Sequence, residues 1–170
     1  MITSILNSEK IVSSSSEAFT MNEKSSFGEK KNQKIEYSLV EASYLLQNDK
    51  MEIYSNNKKL TLDNFMKKAK KMDKKIELKL IVYNDLRKKG YIVKSALKFG
   101  AEFRVYEKGV RPGKDHSKWI LYTTKEHSQI NWHDFAAKSR VAHSTKKNLL
   151  IALVDDESDI TYYEVAWLKA

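Results

Sequence analysis

The sequence predicts an α+β fold made of two small mixed α/β units. Segments with helical periodicity dominate the first half, whereas strand-like segments surround one helical segment in the second half. An apolar fraction of 41% and an aromatic fraction of 11% are typical of globular chains with a packed core. We therefore predict an N-terminal α/β domain at residues 1–78 and a C-terminal domain at residues 79–170, joined near residues 76–90.

The first 34 residues are polar and contain a serine run, Ser13–Ser16. Two interpretations stay open for this region, a set of short strands or partial disorder. A helix follows in "YSLVEASYLL", where Ser38 caps the helix and Glu41 completes a capping box. Its apolar face is formed by Leu39, Ala42, Leu45 and Leu46.

Two more helices are predicted before residue 90, preceded by the short strand-like segment "MEIYS". In "LTLDNFMKKAKKMDKK", Thr61 is the cap, Asp63 lies near the positive helix start and lysines crowd the end. This lysine-rich face is either a solvated surface or an RNA-binding patch. The third helix extends from Ile76 to Lys89, and Gly90 ends it at the C′ position.

In the second half the period changes to that of strands. "YIVKSALKFGAEFRVYEKG" predicts strand, turn and strand, and residues 107–116 form an exposed loop with two glycines and the single proline. "SKWILYTT" is a strand, and "NWHDFAAKSRVAHS" is a helix capped by Asn131. "LLIALV" is a short buried strand, "DDESD" a turn and "ITYYEVAWL" the returning strand.

The charge distribution indicates a polyanionic partner. The formal net charge is +9, and residues 79–170 carry 17 basic and 11 acidic side chains. Four of those acids lie together in Asp155–Asp159, so the remainder of this half is +10. A basic surface favours nucleic acid, although a lysine-rich solvated surface gives the same composition. With no export signal and no long apolar run, we expect a soluble cytoplasmic protein.

Several kinds of site are excluded by the residues present. The chain has no cysteine, and it lacks a glycine-rich phosphate loop, a dinucleotide fingerprint and a nucleophile elbow. Its four histidines lack zinc-type spacing, and no carboxylate constellation suits two-metal chemistry or a calcium loop. If this chain cuts a phosphodiester, it does so with side chains alone.

Metal-free RNA cleavage requires three groups. A base takes the proton of the ribose 2′-hydroxyl, an acid protonates the leaving 5′ oxygen, and a cation stabilises the phosphoryl oxygens. Tyrosine with a lowered pKa, histidine and lysine can fill these roles. The residues alone do not select them, because the chain has nine tyrosines and four histidines. From spacing alone, the favoured interpretations are a strand aromatic for Tyr106, a loop histidine for His116 and a lysine before an apolar strand for Lys147.

Three motifs of the second half carry a resemblance to a known family. "YIVKSALKFGAEFRVYEKG", "DHSKWILY" and "RVAHSTKKNLLIALVDDESDITYYEVAW" resemble the C-terminal catalytic domain of archaeal tRNA-splicing endonucleases. "YSLVEASYLL" is similar to a helix of the family's N-terminal domain, so the resemblance covers about residues 27–168. It implies a central mixed β-sheet flanked by helices in the C-terminal, catalytic domain. The sequence departs from the family pattern at Ala96, where glycine is common, and is poorly matched before Phe27.

The resemblance assigns the three catalytic roles to particular residues. The family's tyrosine falls on Tyr106 in "FRVYEKG", its histidine on His116 in "DHS" and its lysine on Lys147 in "STKKNLLIA". Lys146 is the less favoured choice, since the family lysine lies two residues before the apolar run. The implied reaction needs no metal or other cofactor and leaves a 2′,3′-cyclic phosphate and a 5′-hydroxyl.

The resemblance also implies partners. Arg140 in "SRVAHS" matches an arginine that contacts a bulged base, although a helix-surface ion pair is the alternative. The substrate is precursor tRNA, cut at a bulge-helix-bulge fold, and no membrane is involved. The chain is expected to assemble as a homotetramer, a dimer of dimers, or as a heterotetramer with a paralogous subunit. The predicted assembly device is the acidic turn, formed by Asp155, Asp156, Glu157 and Asp159.

Two alternatives remain beside this interpretation. The family contains non-catalytic RNA-binding structural subunits, and the presence of all three catalytic residue types argues against that role. A nuclease of DNA ends with a related fold would require metal and acidic clusters, which the sequence lacks.

Overall fold

A computed structural model describes residues 1–168 of the chain. Within them the chain forms five α-helices and eleven strands in two mixed sheets, so the predicted α+β fold is confirmed. The helices are α1 (Ser16–Ser25), α2 (Leu39–Gln47), α3 (Leu62–Met72), α4 (Ile76–Lys88) and α5 (Trp132–Ser144). The strands are β1 (Ile2–Asn7), β2 (Lys10–Ser13), β3 (Glu29–Lys31), β4 (Lys34–Tyr37), β5 (Met51–Ser55), β6 (Lys58–Lys59), β7 (Ile92–Ser95), β8 (Phe103–Tyr106), β9 (Trp119–Lys125), β10 (Asn148–Val154) and β11 (Ile160–Val165).

The chain divides into two compact units, Met1–Leu80 and Ile81–Ala170. The first unit contains a six-stranded sheet in the order β3-β4-β2-β1-β5-β6, in which β1 and β5 are parallel. Alternate residues of β1 are buried, as expected for a strand with one covered face. The core of this unit is formed by fully buried side chains that include Ile2, Ile11, Ile35, Leu45, Ile53 and Phe65.

The start of the chain is ordered and contains a helix that the sequence did not reveal. Short strands, one of the two interpretations of residues 1–34, are present, and within the serine run Ser15 caps α1 by accepting a hydrogen bond from the backbone N–H of Ala18. The predicted capping box of α2 is present. Glu41 is buried there, and its carboxylate accepts hydrogen bonds from the backbone N–H groups of Gly28 and Ser38.

The second unit contains a five-stranded sheet in the order β11-β10-β9-β8-β7. Strands β9 and β10 are parallel and are joined through α5, whereas the other pairs are antiparallel. The core packed beneath α5 includes Ala96, Ala101, Ile120, Ala142 and Leu149. No helix within residues 1–168 has both the length and the apolar composition that crossing a membrane requires.

Candidate active site

Tyr106 is the last residue of β8. It is buried, with 4% of its surface exposed, and it pairs with Ile92 of β7. Side chains alternate along a strand, so Tyr106 and Arg104 project from one face of the sheet, and Phe103 and Val105 from the other. The tyrosine ring is therefore held where β8 ends.

Lys147 is placed by the end of α5. Helix α5 ends at Ser144 with Thr145 as its C-cap, and Lys146 adopts a left-handed conformation with φ of 56°. The backbone N–H of Lys146 donates to the carbonyl of His143 at 2.9 Å, and that of Lys147 donates to the carbonyl of Ala142 at 2.8 Å. These two bonds define a Schellman motif. The chain turns sharply through it, and Lys147 comes to lie immediately before β10.

The side chain of Lys147 is half-buried. Its ammonium group donates to the carbonyl of Thr145 at 3.0 Å and lies 6.0 Å from the centroid of the Phe99 ring. Burial, and secondly the positive charge of Arg104, lower the pKa of Lys147 below that of an ordinary lysine. Arg104 and Lys147 are therefore close enough to interact, and Arg104 shares its strand face with Tyr106.

His116 lies in the loop between β8 and β9, and its side chain is exposed. The loop turns at Gly109 and Gly113, both with positive φ, which glycine adopts without a steric penalty. The backbone N–H of His116 donates to the carboxylate of Asp115 at 2.7 Å. The next residue, Ser117, is buried, so the histidine is anchored directly beside the start of β9.

All three predicted catalytic residues therefore lie at one end of the second sheet, which we call the catalytic edge although it is formed by strand ends and not by an outer strand. It comprises the end of β8 and the starts of β9 and β10, which are neighbouring strands. The backbone N–H of Lys118 donates to the carbonyl of Val105 at 3.0 Å, and that of Asn148 donates to the carbonyl of Lys118 at 2.9 Å. Neighbouring strands lie about 4.8 Å apart, which separates the backbones of β8 and β10 by about 10 Å. Tyr106 ends the first of them, and Lys147 immediately precedes the last.

An aromatic and basic cluster beside this edge was missed in the sequence. The rings of Tyr91 and Trp119 meet edge to face with centroids 6.0 Å apart. The ammonium group of Lys108 lies 5.2 Å from the Tyr91 centroid, and that of Lys118 lies 4.8 Å from the Trp119 centroid. Lys118 also pairs with Glu107 at 2.6 Å, which raises its pKa. The alternation of lysines with aromatics in "YIVKS" and "SKWILY" was the available signal.

A cavity of about 280 Å³ reaches Lys147. It is also lined by His143, whose ring packs against Trp167 with a centroid distance of 3.8 Å. The remaining walls come from α5 and from the end of β11, through residues that include Phe135, Ser139 and Val165. A histidine other than the predicted one thus lies in the surroundings of Lys147.

Arg140 lies on α5 with an exposed side chain. It has no ion-pair partner within residues 1–168, so the ion-pair alternative gains no support. The guanidinium is open to a planar ligand such as a base. Among the same residues, no three histidine or acidic side chains are grouped closely enough to hold a metal ion.

The acidic turn is stabilised partly from within the chain. One carboxylate oxygen of Asp155 accepts the backbone N–H groups of Glu157 at 2.9 Å and Asp159 at 2.8 Å. Asp156 contacts the ring of His127 at 3.0 Å and raises the pKa of that histidine. Asp155 and Asp156 therefore have partners within the chain, and the role of the acidic turn in assembly stays a prediction. Glu157 and Asp159 project into solvent.

Comparison with known proteins agrees with this architecture along nearly the whole chain. Residues 2–66 match the family model of the tRNA intron endonuclease N-terminal domain, and residues 76–162 match that of the catalytic C-terminal domain. A tRNA-splicing endonuclease of Thermococcus kodakarensis is 38% identical over 170 residues, which cover 99% of each chain. One from Pyrococcus horikoshii is 42% identical over 84% of this chain and 82% of its own. One from Nanoarchaeum equitans is 44% identical over 79% of this chain and 90% of its own. This chain belongs to the tRNA intron endonuclease family.

Proposed function

We propose that this chain cleaves precursor tRNA at the exon–intron junctions, with Tyr106, His116 and Lys147 as the catalytic residues. The observation that carries the proposal is the single sheet edge at which β8 ends and β9 and β10 begin. A base, an acid and a cation within reach of one phosphate are what metal-free RNA cleavage requires. The names of the relatives, tRNA-splicing endonucleases, support the choice of substrate.

In the proposed mechanism the RNA supplies its own nucleophile. Tyr106 takes the proton of the ribose 2′-hydroxyl, and the 2′ oxygen forms a bond to the adjacent phosphorus. The bond from phosphorus to the 5′ oxygen breaks, and His116 donates a proton to that oxygen. The ammonium of Lys147 stabilises the charge that develops on the phosphoryl oxygens. The products are a 2′,3′-cyclic phosphate and a 5′-hydroxyl.

Two positive charges, those of Arg104 and Lys147, lie close together at this end of the sheet. Arg104 shares a strand face with the tyrosine and adds a second positive charge beside Lys147. Positive charges near a phenol favour its ionised form, which is the form that acts as a base. Partial burial strengthens each of these interactions relative to bulk water.

Cleavage in excess EDTA, followed by analysis of the product ends, tests the mechanism. We expect an unchanged rate and products that carry a cyclic phosphate and a 5′-hydroxyl. Tyr106→Phe is the matched control, because it removes one hydroxyl and keeps the buried ring; it should abolish most of the rate. Products with a 5′-phosphate, or activity lost on chelation, would refute the proposal. RNA binding without any cleavage would favour the non-catalytic subunit instead.

We propose further that Arg140 holds an unpaired base of a bulge-helix-bulge substrate. The exposed guanidinium, which forms no ion pair with any residue of 1–168, supports this role, because a planar cation stacks on bases. Arg140→Lys keeps the charge and removes the plane. It should weaken binding of a bulged RNA about tenfold or more, and that of a fully paired duplex by far less. Equal effects on both RNAs would contradict a base contact.

Self-association is the last part of the proposal, as a homotetramer or with a paralogous subunit. The exposed acids Glu157 and Asp159 support it, since they remain free to meet a basic surface. Strand β11 lies at a sheet edge and exposes Tyr163, and exposed Trp167 follows it. Exposed edges and aromatics are common at interfaces between chains. The mass of the purified protein in solution tests the expectation of four chains and separates one subunit type from two.

A further inference from the structure

Helix α3 carries a concentrated positive surface in the first unit. Residues 67–75 contain six lysines and one aspartate, a net charge of +5. The other residues of Met1–Leu80 contain nine lysines and ten acidic side chains, a net charge of −1. The net positive charge of this unit therefore arises in one short segment, because the lysines elsewhere are balanced by acidic side chains.

The lysines of α3 lie on its solvent side. Phe65 and Ala69 are fully buried and fix which face of the helix meets the core. Helical periodicity then places the lysine positions on the opposite side. Three lysines of α3, and Lys74 just after its end, are exposed and have no ion-pair or hydrogen-bond partner for their ammonium groups within residues 1–168, whereas Lys70 pairs with Glu77 at 2.6 Å. We call these four the lysine face: Lys67, Lys68, Lys71 and Lys74.

This arrangement is unfavourable for the isolated helix. Lys67 and Lys71 are four residues apart and Lys68 and Lys71 are three apart, so like charges are neighbours on the helix surface. Lys70 adds a further neighbour to Lys67. Lysines in the last turn do favour the helix dipole, but that effect extends over one turn only. The helix dipole therefore does not offset the crowding at Lys67 and Lys68, which a bound polyanion would relieve.

We propose that the lysine face binds the phosphate backbone of the substrate RNA at nucleotides outside the bulge-helix-bulge. The inference rests on the proposed function, because precursor tRNA is the polyanion that this function brings to the chain. Lysines act as flexible point charges for phosphates and require no base sequence. The three predicted catalytic residues belong to the second unit, so the lysine face adds an RNA contact outside the catalytic edge.

Charge-removing variants test this with a matched control. The test variant is K67Q/K68Q/K71Q/K74Q, made in the Tyr106→Phe background so that RNA stays intact during titration. The control removes the same charge from exposed lysines elsewhere in the unit, as K10Q/K34Q/K50Q/K58Q. The probes are a full-length unspliced precursor tRNA and a short bulge-helix-bulge RNA.

The test variant should bind the full-length RNA about tenfold or more weakly, and the slope of log K against log salt should fall by about 2 to 4. The control should change the dissociation constant less than about threefold. The short RNA should bind both variants equally, and with Tyr106 restored both should cleave it at the wild-type rate. The melting temperature of the test variant should stay constant or rise, since like-charge repulsion is removed.

Three results would overturn the inference. Equal losses of affinity for the full-length RNA in the test and control variants would mean that any loss of positive charge weakens binding. Unchanged RNA affinity with a smaller mass would mean that the lysine face binds an acidic protein surface. A lower melting temperature would mean that the lysines stabilise the fold. A wild-type chain that cuts neither RNA would refute the proposed chemistry alone, because the binding comparison is made without cleavage.

Discussion

At the scale of single residues, two imidazoles are candidates for the proton donor. His116 is exposed in the loop before β9, and His143 lines the cavity that reaches Lys147. The ring of His143 is packed against Trp167, which leaves it engaged in a structural contact. A donor to the leaving oxygen must be free to approach the substrate, and this requirement favours His116.

His116→Ala should therefore lower the single-turnover cleavage rate about 10² to 10⁴-fold and leave RNA binding nearly unchanged, as expected when a positioned proton donor is removed. His127→Ala and His133→Ala should change the rate less than about threefold. His143→Ala should affect the melting temperature more than the rate. Equal rate losses at all four histidines would contradict the assignment of the acid to His116.

The lowered pKa of Lys147 predicts the alkaline limb of the pH–rate profile. A cation at Lys147 is lost as pH rises through its folded-state pKa, which burial and Arg104 hold below the ordinary lysine value. Arg104→Gln removes the repulsion, so the limb should move to higher pH, whereas Arg104→Lys should leave it in place. Single-turnover rates across pH measure this, and a limb that stays fixed in Arg104→Gln would exclude Lys147 as the titrating group.

The lowered pKa of Lys147 also makes the free energy of unfolding depend on pH. The unfolded chain holds the Lys147 proton more tightly than the folded chain does. Stability from this site therefore rises with pH between the folded and unfolded pKa values, while the cation needed for catalysis disappears. Activity and stability should change in opposite directions across that window.

At the scale of elements, the Schellman turn after α5 is strained at Lys146, because a side chain is disfavoured in the left-handed region. Lys146→Gly should raise the free energy of unfolding by about 1 kcal/mol. Cleavage should be retained, since Lys147 keeps its backbone bond to Ala142. Lys147→Met should instead lose most of the rate. Denaturant unfolding and single-turnover kinetics on both variants test this. Loss of cleavage in Lys146→Gly together with normal cleavage in Lys147→Met would assign the catalytic role to Lys146.

The acidic turn gives a second prediction at this scale. Changing Asp155, Asp156, Glu157 and Asp159 together to their amides should lower the solution mass to that of a dimer, and cleavage should fall with it. High salt should weaken the wild-type assembly in the same direction.

Asp155 also stabilises the turn and Asp156 contacts His127, so the fourfold variant could lose mass because the turn itself is disrupted. A variant with fewer substitutions separates this effect from the loss of a contact with a partner. Changing Glu157 and Asp159 alone removes only charges that face solvent. This pair should still reduce the mass if the turn docks on a partner. If both variants keep the wild-type mass and activity, the turn has no role in assembly.

Helix boundaries with a clear capping or terminating residue were predictable from the sequence. Helix α5 begins after its predicted cap Asn131, and Gly90 follows α4 as expected. Helix α1 was missed because only Ala18 within it is fully buried, so the apolar periodicity that reveals a helix is almost absent. The common edge of Tyr106 and Lys147 depends on strand register between residues 41 positions apart, which local patterns do not contain.

At the scale of the whole molecule, the proposed substrate should be recognised by its shape. Proteins read RNA helices through backbone contacts and unpaired bases, and the predicted contacts at Arg140 and the lysine face are of these two kinds. Base-pair swaps that preserve the helix between the bulges should leave the cleavage rate within about threefold. Moving one bulge by a single base pair should reduce it far more. A strong dependence on the identity of the paired bases would contradict recognition by shape.

The parallel pairing of β9 with β10 has a consequence for how this protein comes into being. Trp119 and Asn148 are partners across it although 29 residues separate them, whereas the flanking antiparallel pairs join shorter stretches of chain. Closing the longest loop is the slow part of forming a sheet. It is also the step that brings Lys147 to the strand that His116 precedes. On the proposed mechanism, a chain still emerging from the ribosome carries Tyr106 and His116 before Lys147 has been made. The proposed active site is therefore incomplete until β10 can pair with β9.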